Sequence, residues 1–213
     1  MSDNILKIRD LSVNYQTDRG KLKALRNIDL DISRGSIVGV VGESGCGKST
    51  LITSIIRQLD ANADIPNGSI EFEKQDLLKL SLDKMRNISG TQLSIVFQDP
   101  MSTLNPVLSI GRQMIDIQYR DKTSKKIKKQ RSIDMLNKVG IPDPQSQLKQ
   151  YPHELSGGMQ QRVSIAMALQ AGPSLLIADE PTTALDATLE VQILKLLKEL
   201  QVEMGCSILF VSH

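Results

Sequence analysis

The chain has 213 residues, enough to bury one good core or one core with a small satellite. Its 26 basic and 24 acidic residues nearly cancel and aromatic residues make up 3%, which removes both the bulk electrostatic case for nucleic acid and the stacking platform of single-strand binders. The longest apolar runs fall far short of the roughly 20 residues that span a bilayer, and no basic segment followed by an apolar run and a cleavage site opens the chain; it reads as cytosolic, with a membrane partner left open.

Ile5 to Tyr15 alternates as an edge or half-buried strand, Asp18-Arg19-Gly20 marks a turn, and Leu22 to Ile32 resumes the alternation, so the two are expected to pair antiparallel. Tyr15 is the one aromatic of this segment, either an ordinary strand residue or a platform for a nucleotide base. Ile37 to Val41 is a short β-branched run of the kind buried in a parallel sheet. It leads into Gly42-Glu43-Ser44-Gly45-Cys46-Gly47-Lys48-Ser49-Thr50, which satisfies G-x-x-x-x-G-K-[ST] at every fixed position, and Leu51 to Leu59 continues at helical spacing.

The physics of that loop is specific. Glycines let successive amides and the positive end of the following helix close round an anion. Lys48 would carry its charge to the β- and γ-phosphates and the Ser49 hydroxyl would coordinate Mg2+. Cys46 and Cys206 lack ligand spacing and a visible charged partner, so both are expected to be packing residues.

Asn62 to Gly68 is expected to be loop and Ser69 to Glu73 a short strand, and Ser81 looks like the cap of a helix ending by Gly90. Leu93 to Phe97 is a buried-type strand delivering Gln98, a residue placed to reach a ligand or simply to occupy a turn, after which Asp99-Pro100 should halt regular structure. From Met101 to Pro152 buried-strand runs vanish. Prolines punctuate the segment, with helix candidates at Ile110 to Tyr119 and Lys125 to Val139, so residues 99–158 are expected to form a helical insertion between core segments 1–98 and 159–213. Lys122, Lys125, Lys126, Lys128, Lys129 and Arg131 make a solvated basic face or a contact for anionic lipid, with Ile127, Ile133, Met135, Leu136 and Val139 as the apolar side.

Leu155-Ser156-Gly157-Gly158-Met159-Gln160-Gln161-Arg162 opens the most apolar helix of the chain. Ser156 suits its cap and Gly157-Gly158 leaves the first amides uncovered, giving a second anion-binding helix start. One compact chain does not obviously bring both starts to a single triphosphate, which hints at a site shared between two subunits. Ser174 to Glu180 is a buried strand ending in two acids: Asp179 would hold Mg2+ through water and Glu180 would polarise the attacking water. Thr182 to Asp186 turns the chain into a helix over Ala187 to Met204, ended by Gly205, and the strand Ser207 to Val211 carries His213 toward the phosphate site.

Together, Gly42 to Thr50, Gln98, Leu155 to Arg162, Leu175 to Glu180, Ala184-Leu185-Asp186 and His213 resemble the ATP-binding subunit of ABC transporters over essentially the whole chain. Phe97 to Pro106 and Tyr151-Pro152-His153-Glu154 look like the dipeptide, oligopeptide and nickel importer branch. The resemblance implies an α/β fold: a P-loop NTPase core sheet with an N-terminal antiparallel β subdomain and an inserted helical subdomain. It implies Tyr15 as the adenine-stacking aromatic, Gln98 as Mg2+ sensor and link to the transmembrane subunits, Glu180 as catalytic carboxylate, Asp186 as the acid of a loop crossing the dimer interface, and His213 as a γ-phosphate switch. Ser156, Gly157, Gly158 and Gln160 would close on ATP held by a partner's phosphate loop, in a head-to-tail homo- or heterodimer. Thr183 stands where the family usually has serine and keeps the hydroxyl.

The expected role is ATP hydrolysis powering peptide import at the cytoplasmic face of the membrane, with permease subunits and, indirectly, an extracytoplasmic binding protein. The rival readings are a nickel or metallophore importer, a soluble non-transport ABC protein, and an inactive domain. Members of this branch normally continue past the switch histidine, so the resemblance also implies a C-terminally incomplete chain.

Overall fold

The computed structural model describes residues 3–183 and 186–213. Strand β1 (Asn4–Thr17) and strand β2 (Gly20–Ser33) pair antiparallel across the turn at Asp18-Arg19. Strand β3 (Ile37–Val41) feeds the phosphate loop and helix α1 (Lys48–Ile55). Strand β4 (Ala63–Phe72) returns to β1, and the short β5 (Gln75–Asp76) completes a four-stranded sheet in the order β2-β1-β4-β5. The expected loop over Asn62 to Gly68 is thus mostly strand. Pro66 and Gly68 are tolerated there because β5 pairs only with Glu71 and Phe72, leaving that stretch of β4 an edge, and the register against β1 shifts between Arg9 and Asn14.

Helix α2 (Leu82–Ile88) is capped by Ser81, whose hydroxyl accepts from Lys84 N–H. Strand β6 (Leu93–Val96) then enters a second sheet, and helices α3 (Pro100–Thr103), α4 (Ile110–Asp116), α5 (Lys125–Lys138) and α6 (Pro144–Gln147) follow. Two prolines begin helices here instead of ending structure. Pro100 and Pro144 occupy first helical positions, where a missing N–H costs nothing, behind Asp99 and Asp143 as side-chain caps. On α5, Ile133, Met135 and Leu136 are buried as expected, but Ile127 lies on the exposed side.

Helix α7 (Gly157–Leu169), strand β7 (Leu175–Asp179), helix α8 (Ala187–Met204) and strand β8 (Ser207–Ser212) finish the chain, with Gly205 left-handed at φ 65° after α8. The second sheet is parallel in the order β3-β8-β7-β6. Its buried middle is β7 and β8. Strand β3 is at the edge, and its expected full burial does not hold: Ile37 and Val41 are 44% and 72% exposed. A β-branched run announces a strand, but not how many neighbours it has.

Two apolar cores flank the parallel sheet. One joins β1, β2, β4, α1 and α2 to the face carrying Leu175, Ile177, Leu209 and Val211. The other joins the helices between β6 and β7, together with α7 and α8, to the face carrying Leu176, Ala178 and Ile208. Alternation along β7 and β8 divides their side chains between the two. This is a mixed α/β fold with a P-loop NTPase-type sheet, an N-terminal antiparallel subdomain and inserted helices.

Candidate functional site

The phosphate loop hangs between edge strand β3 and α1. Gly47 has φ 102° and no side-chain cap, so the first amides of α1 are open. Its glycine identity is doubly required, because a Cβ there would stand 2.8 Å from the Ala24 carbonyl oxygen. Gly42 is similarly pressed: a Cβ would meet Cys46 Sγ at 2.7 Å. Cys46 is exposed, contrary to expectation, while Cys206 is buried and burial pushes its thiol pKa up. Within the loop Glu43, Ser44, Gly45 and Ser49 are exposed and Gly42 and Thr50 half-buried.

Lys48 is buried and turned back on its own loop. Its Nζ donates to Gly42 O at 2.6 Å and Glu43 O at 3.0 Å and stands 3.7 Å from Glu180 Oε1. Glu180 is the centre of the site. It is 9% exposed, its backbone is left-handed at φ 45°, and its N–H donates to Val211 O of β8. Its Oε2 accepts from Gln98 Nε2 at 3.0 Å and Thr183 Oγ1 at 3.3 Å and lies 2.7 Å from His213 Nε2. Lys48, Gln98 and His213 from distant stretches, and Thr183 from the next turn of chain, therefore meet one buried carboxylate.

Asp179, at the end of β7, has its pKa raised by burial first and by the adjacent Glu180 carboxylate second, with Lys48 pulling the other way. A half-buried carboxylate held against its charged form is well suited to a cation. With the Ser49 hydroxyl and the Gln98 amide oxygen it offers the hard oxygen donors that Mg2+ prefers, so these residues fit that ion.

The second helix start is finished differently. Ser156 and Gly157 are exposed, and the Ser156 hydroxyl accepts from Met159 N–H at 3.4 Å. Gln160 is buried and donates to Pro152 O at 2.9 Å and Leu155 O at 3.1 Å, bracing the approach to the helix from inside. Asp186 caps α8, its Oδ1 accepting from Thr188 and Leu189 N–H at 3.0 Å each; Ala184 and Leu185 of the same motif lie outside the described residues. Tyr15 is half-buried against the core shared by the antiparallel sheet and α1. Thr183 as a direct partner of Glu180 was not expected. The signal was local, a hydroxyl residue three positions after a strand-end acid.

Comparisons with known proteins identify relatives of the chain. The profile of the ABC transporter family matches residues 25–183. The chain is 43% identical over 211 residues to the oligopeptide transport ATP-binding protein OppD of Bacillus subtilis, covering 98% of this chain and 59% of that protein. It is 46% identical over 213 residues to the dipeptide transport ATP-binding protein DppD of the same organism, covering 99% of this chain and 64% of that protein. The chain thus spans less than two thirds of the length of these relatives. Among solved structures, the ATP-binding cassette MJ0796, a dimer in a post-hydrolysis state bound to ADP and Pi, superposes with a TM-score of 0.84 at 29% identity, covering 98% of this chain and 88% of that one. The cbiO1 protein of Clostridium perfringens, part of the transporter complex cbiONQ, gives 0.83 at 32% identity, covering 99% and 79%.

Proposed function

The chain belongs to the ABC transporter family, and from that premise we propose that it binds ATP with Mg2+, hydrolyses it, and powers the import of di- or oligopeptides through permease subunits. The observation that carries the reading is the convergence of Lys48, Gln98, Thr183 and His213 on Glu180 beside an open helix start. Lys48 has the short move of leaving two loop carbonyls for the β- and γ-phosphate oxygens. Ser49, Asp179 and Gln98 are the residues that would hold Mg2+, whose charge offsets that of the phosphates when bound. Glu180, freed of Lys48, accepts the proton of the attacking water, and His213 changes from partner of the carboxylate to donor toward the γ-phosphate. Tyr15 is assigned to the adenine side of the site, reached across β2.

Ser156, Gly157 and Gly158 are assigned to the nucleotide of a second ATPase subunit, equal or different, paired head to tail, with Asp186 at the same interface. Gln160 supports this edge by holding the Pro152 and Leu155 carbonyls. Residues 99–158 form the helical subdomain and 1–98 with 159–213 the core. The permease is assigned to a cavity of about 550 Å3 walled by Ile56, Leu93, Thr103, Ile117, Tyr119 and Met167. Thr103 ends the short helix that follows Gln98, so an occupant there is linked to the site through that helix. Three buried atoms without hydrogen-bond partners, Gln118 Oε1, Ser164 Oγ and Gln170 Oε1, belong to residues of the same wall. No helix among the described residues is long and apolar enough to cross a membrane, in keeping with a peripheral subunit at the cytoplasmic face, while an extracytoplasmic binding protein would deliver peptide to the permease.

The test is Glu180→Gln. Equilibrium ATP binding should stay within about twofold of the unsubstituted protein, while Mg2+-dependent phosphate release falls by about 10²–10⁴, the usual worth of a general base. Undiminished hydrolysis in this variant would remove Glu180 from the catalytic role.

A further inference from the structure

The starts of α7 and α8 are fastened together by contacts that the site itself does not need. Gly158 is buried against Leu189: a Cβ on Gly158 would stand 3.3 Å from Leu189 Cδ1, so the helices come closer here than any other residue at this position allows without displacing that side chain. The N–H of the same Leu189 is held by Asp186 Oδ1 at 3.0 Å. One turn further along, Arg162 Nη2 donates to Gln192 Oε1 of α8 at 3.2 Å. The other arm of that guanidinium, Nη1, donates at 2.7 Å to Val139 O, the carbonyl at the C-terminal end of α5, where a cation also meets the negative end of the helix dipole. Gly140 follows in a left-handed conformation at φ 73°, and a Cβ on it would lie 3.1 Å from the same Nη1. Finally, Thr182 Oγ1, two residues past Glu180, donates to Glu190 Oε1 in the first turn of α8.

We propose that Arg162, Leu189 and Gln192 are positioning residues that lock the Ser156-Gly157-Gly158 helix start to Asp186 at the start of α8, so that the two interface elements move as one rigid piece. Arg162 and Gln192, bonded to each other and to the end of α5, act through Gly158 and Asp186. Nucleotide closed on by the Ser156 helix thereby shifts the Asp186 turn as well, and the Thr182 bond to Glu190 passes the shift to the strand end that carries the catalytic carboxylate. The proposal rests on the ATPase reading for its consequence, but not for the lock itself.

The experiment uses this protein with Gln192→Ala, Leu189→Ala, Arg162→Lys and Arg162→Ala. Gln192 is exposed, so its replacement should leave the unfolding midpoint nearly unchanged, as surface substitutions usually do. Amide hydrogen exchange without nucleotide reads the lock. The Met159 and Gln160 amides of α7 should exchange about tenfold faster in Q192A and L189A, although neither substitution lies on that helix. Turnover reads the consequence: kcat should fall several-fold with ATP affinity unchanged, R162K should recover part of what R162A loses, and R162A should add little to Q192A in the double variant. Unaltered exchange in the first turn of α7 overturns the lock. Altered exchange with unaltered kcat overturns its part in catalysis. Failure of the unsubstituted protein to hydrolyse ATP strikes the proposed function and leaves the exchange result to decide the lock.

Discussion

Two helices of this chain begin with glycines around uncovered amides, and they are finished in opposite ways. At α1 the residue before the helix is left-handed Gly47 with no capping side chain, and the chain brings its own cation, buried Lys48, and its own acid, Glu180, to the spot. At α7 the cap is the Ser156 hydroxyl, the start is exposed, and among the described residues no ion pair involves Ser156 to Gln161. A helix start that leaves its amides open and supplies a movable lysine can accept a highly charged phosphate chain by exchanging partners. A hydroxyl-capped start without a cation contributes dipole and hydrogen bonds but little charge. The first has the composition of a complete phosphate cradle, the second that of a cover.

Lys48→Ala bears most heavily on this contrast. It should weaken ATP binding about 10- to 100-fold, the range expected when a charge-assisted hydrogen bond of roughly 1.5–3 kcal/mol is lost, as measured by titration with a fluorescent ATP analogue. Unchanged affinity would mean that α1 holds phosphate by its amides alone and that the two starts are alike. Next comes Gly47→Ala. The φ of 102° and the 2.8 Å approach to Ala24 O both oppose a side chain, so the apo protein should lose roughly 1–3 kcal/mol in denaturant unfolding and bind ATP poorly. Ser156→Ala should have the smallest effect, about 1 kcal/mol of stability from the lost cap, with ATP affinity of the single chain unchanged. If S156A weakened ATP binding by the single chain as much as K48A, both starts would be acting on one nucleotide, and the distinction between cradle and cover would collapse.

Much of the cradle was legible because its parts are consecutive: strand, glycines, lysine and helix occupy residues 37–55, and local conformational rules suffice to read them. The second helix start was legible for the same reason, from Ser156 as its cap and the glycines after it. The family resemblance assigned Gln98, Glu180 and His213 to one nucleotide site but not the contacts of Gln98 and His213 with the Glu180 carboxylate; no local rule brings together residues 82 positions apart. Two other features escaped for physical reasons. Edge and centre strands share a residue pattern when one face is buried, which concealed the exposure of Ile37 and Val41. Proline is compatible both with the end of one element and with the first turn of the next, which concealed α3 and α6. Gln160, a polar residue beside an exposed helix start, gave no sequence signal that its amide faces inward to two carbonyls.

The edge position of β3 also has a consequence for how the molecule comes into being. Within its sheet β3 pairs only with β8, and Gly35 N–H at its foot donates to Ser207 Oγ, 172 residues later. The antiparallel strands β1, β2 and β4 can pair once residues 4–72 have been made, but the stem of the phosphate loop has no strand neighbour among the described residues until residues 207–212 have followed. Until then the β-branched stem is an unpaired edge open to premature association, held only by the packing of Val38 and Val40 on the core around β1, β2 and α1 and by the approach of Gly47 to Ala24. Pairing of β3 with β8 is the event that fixes the stem of the glycine-rich turn within a sheet.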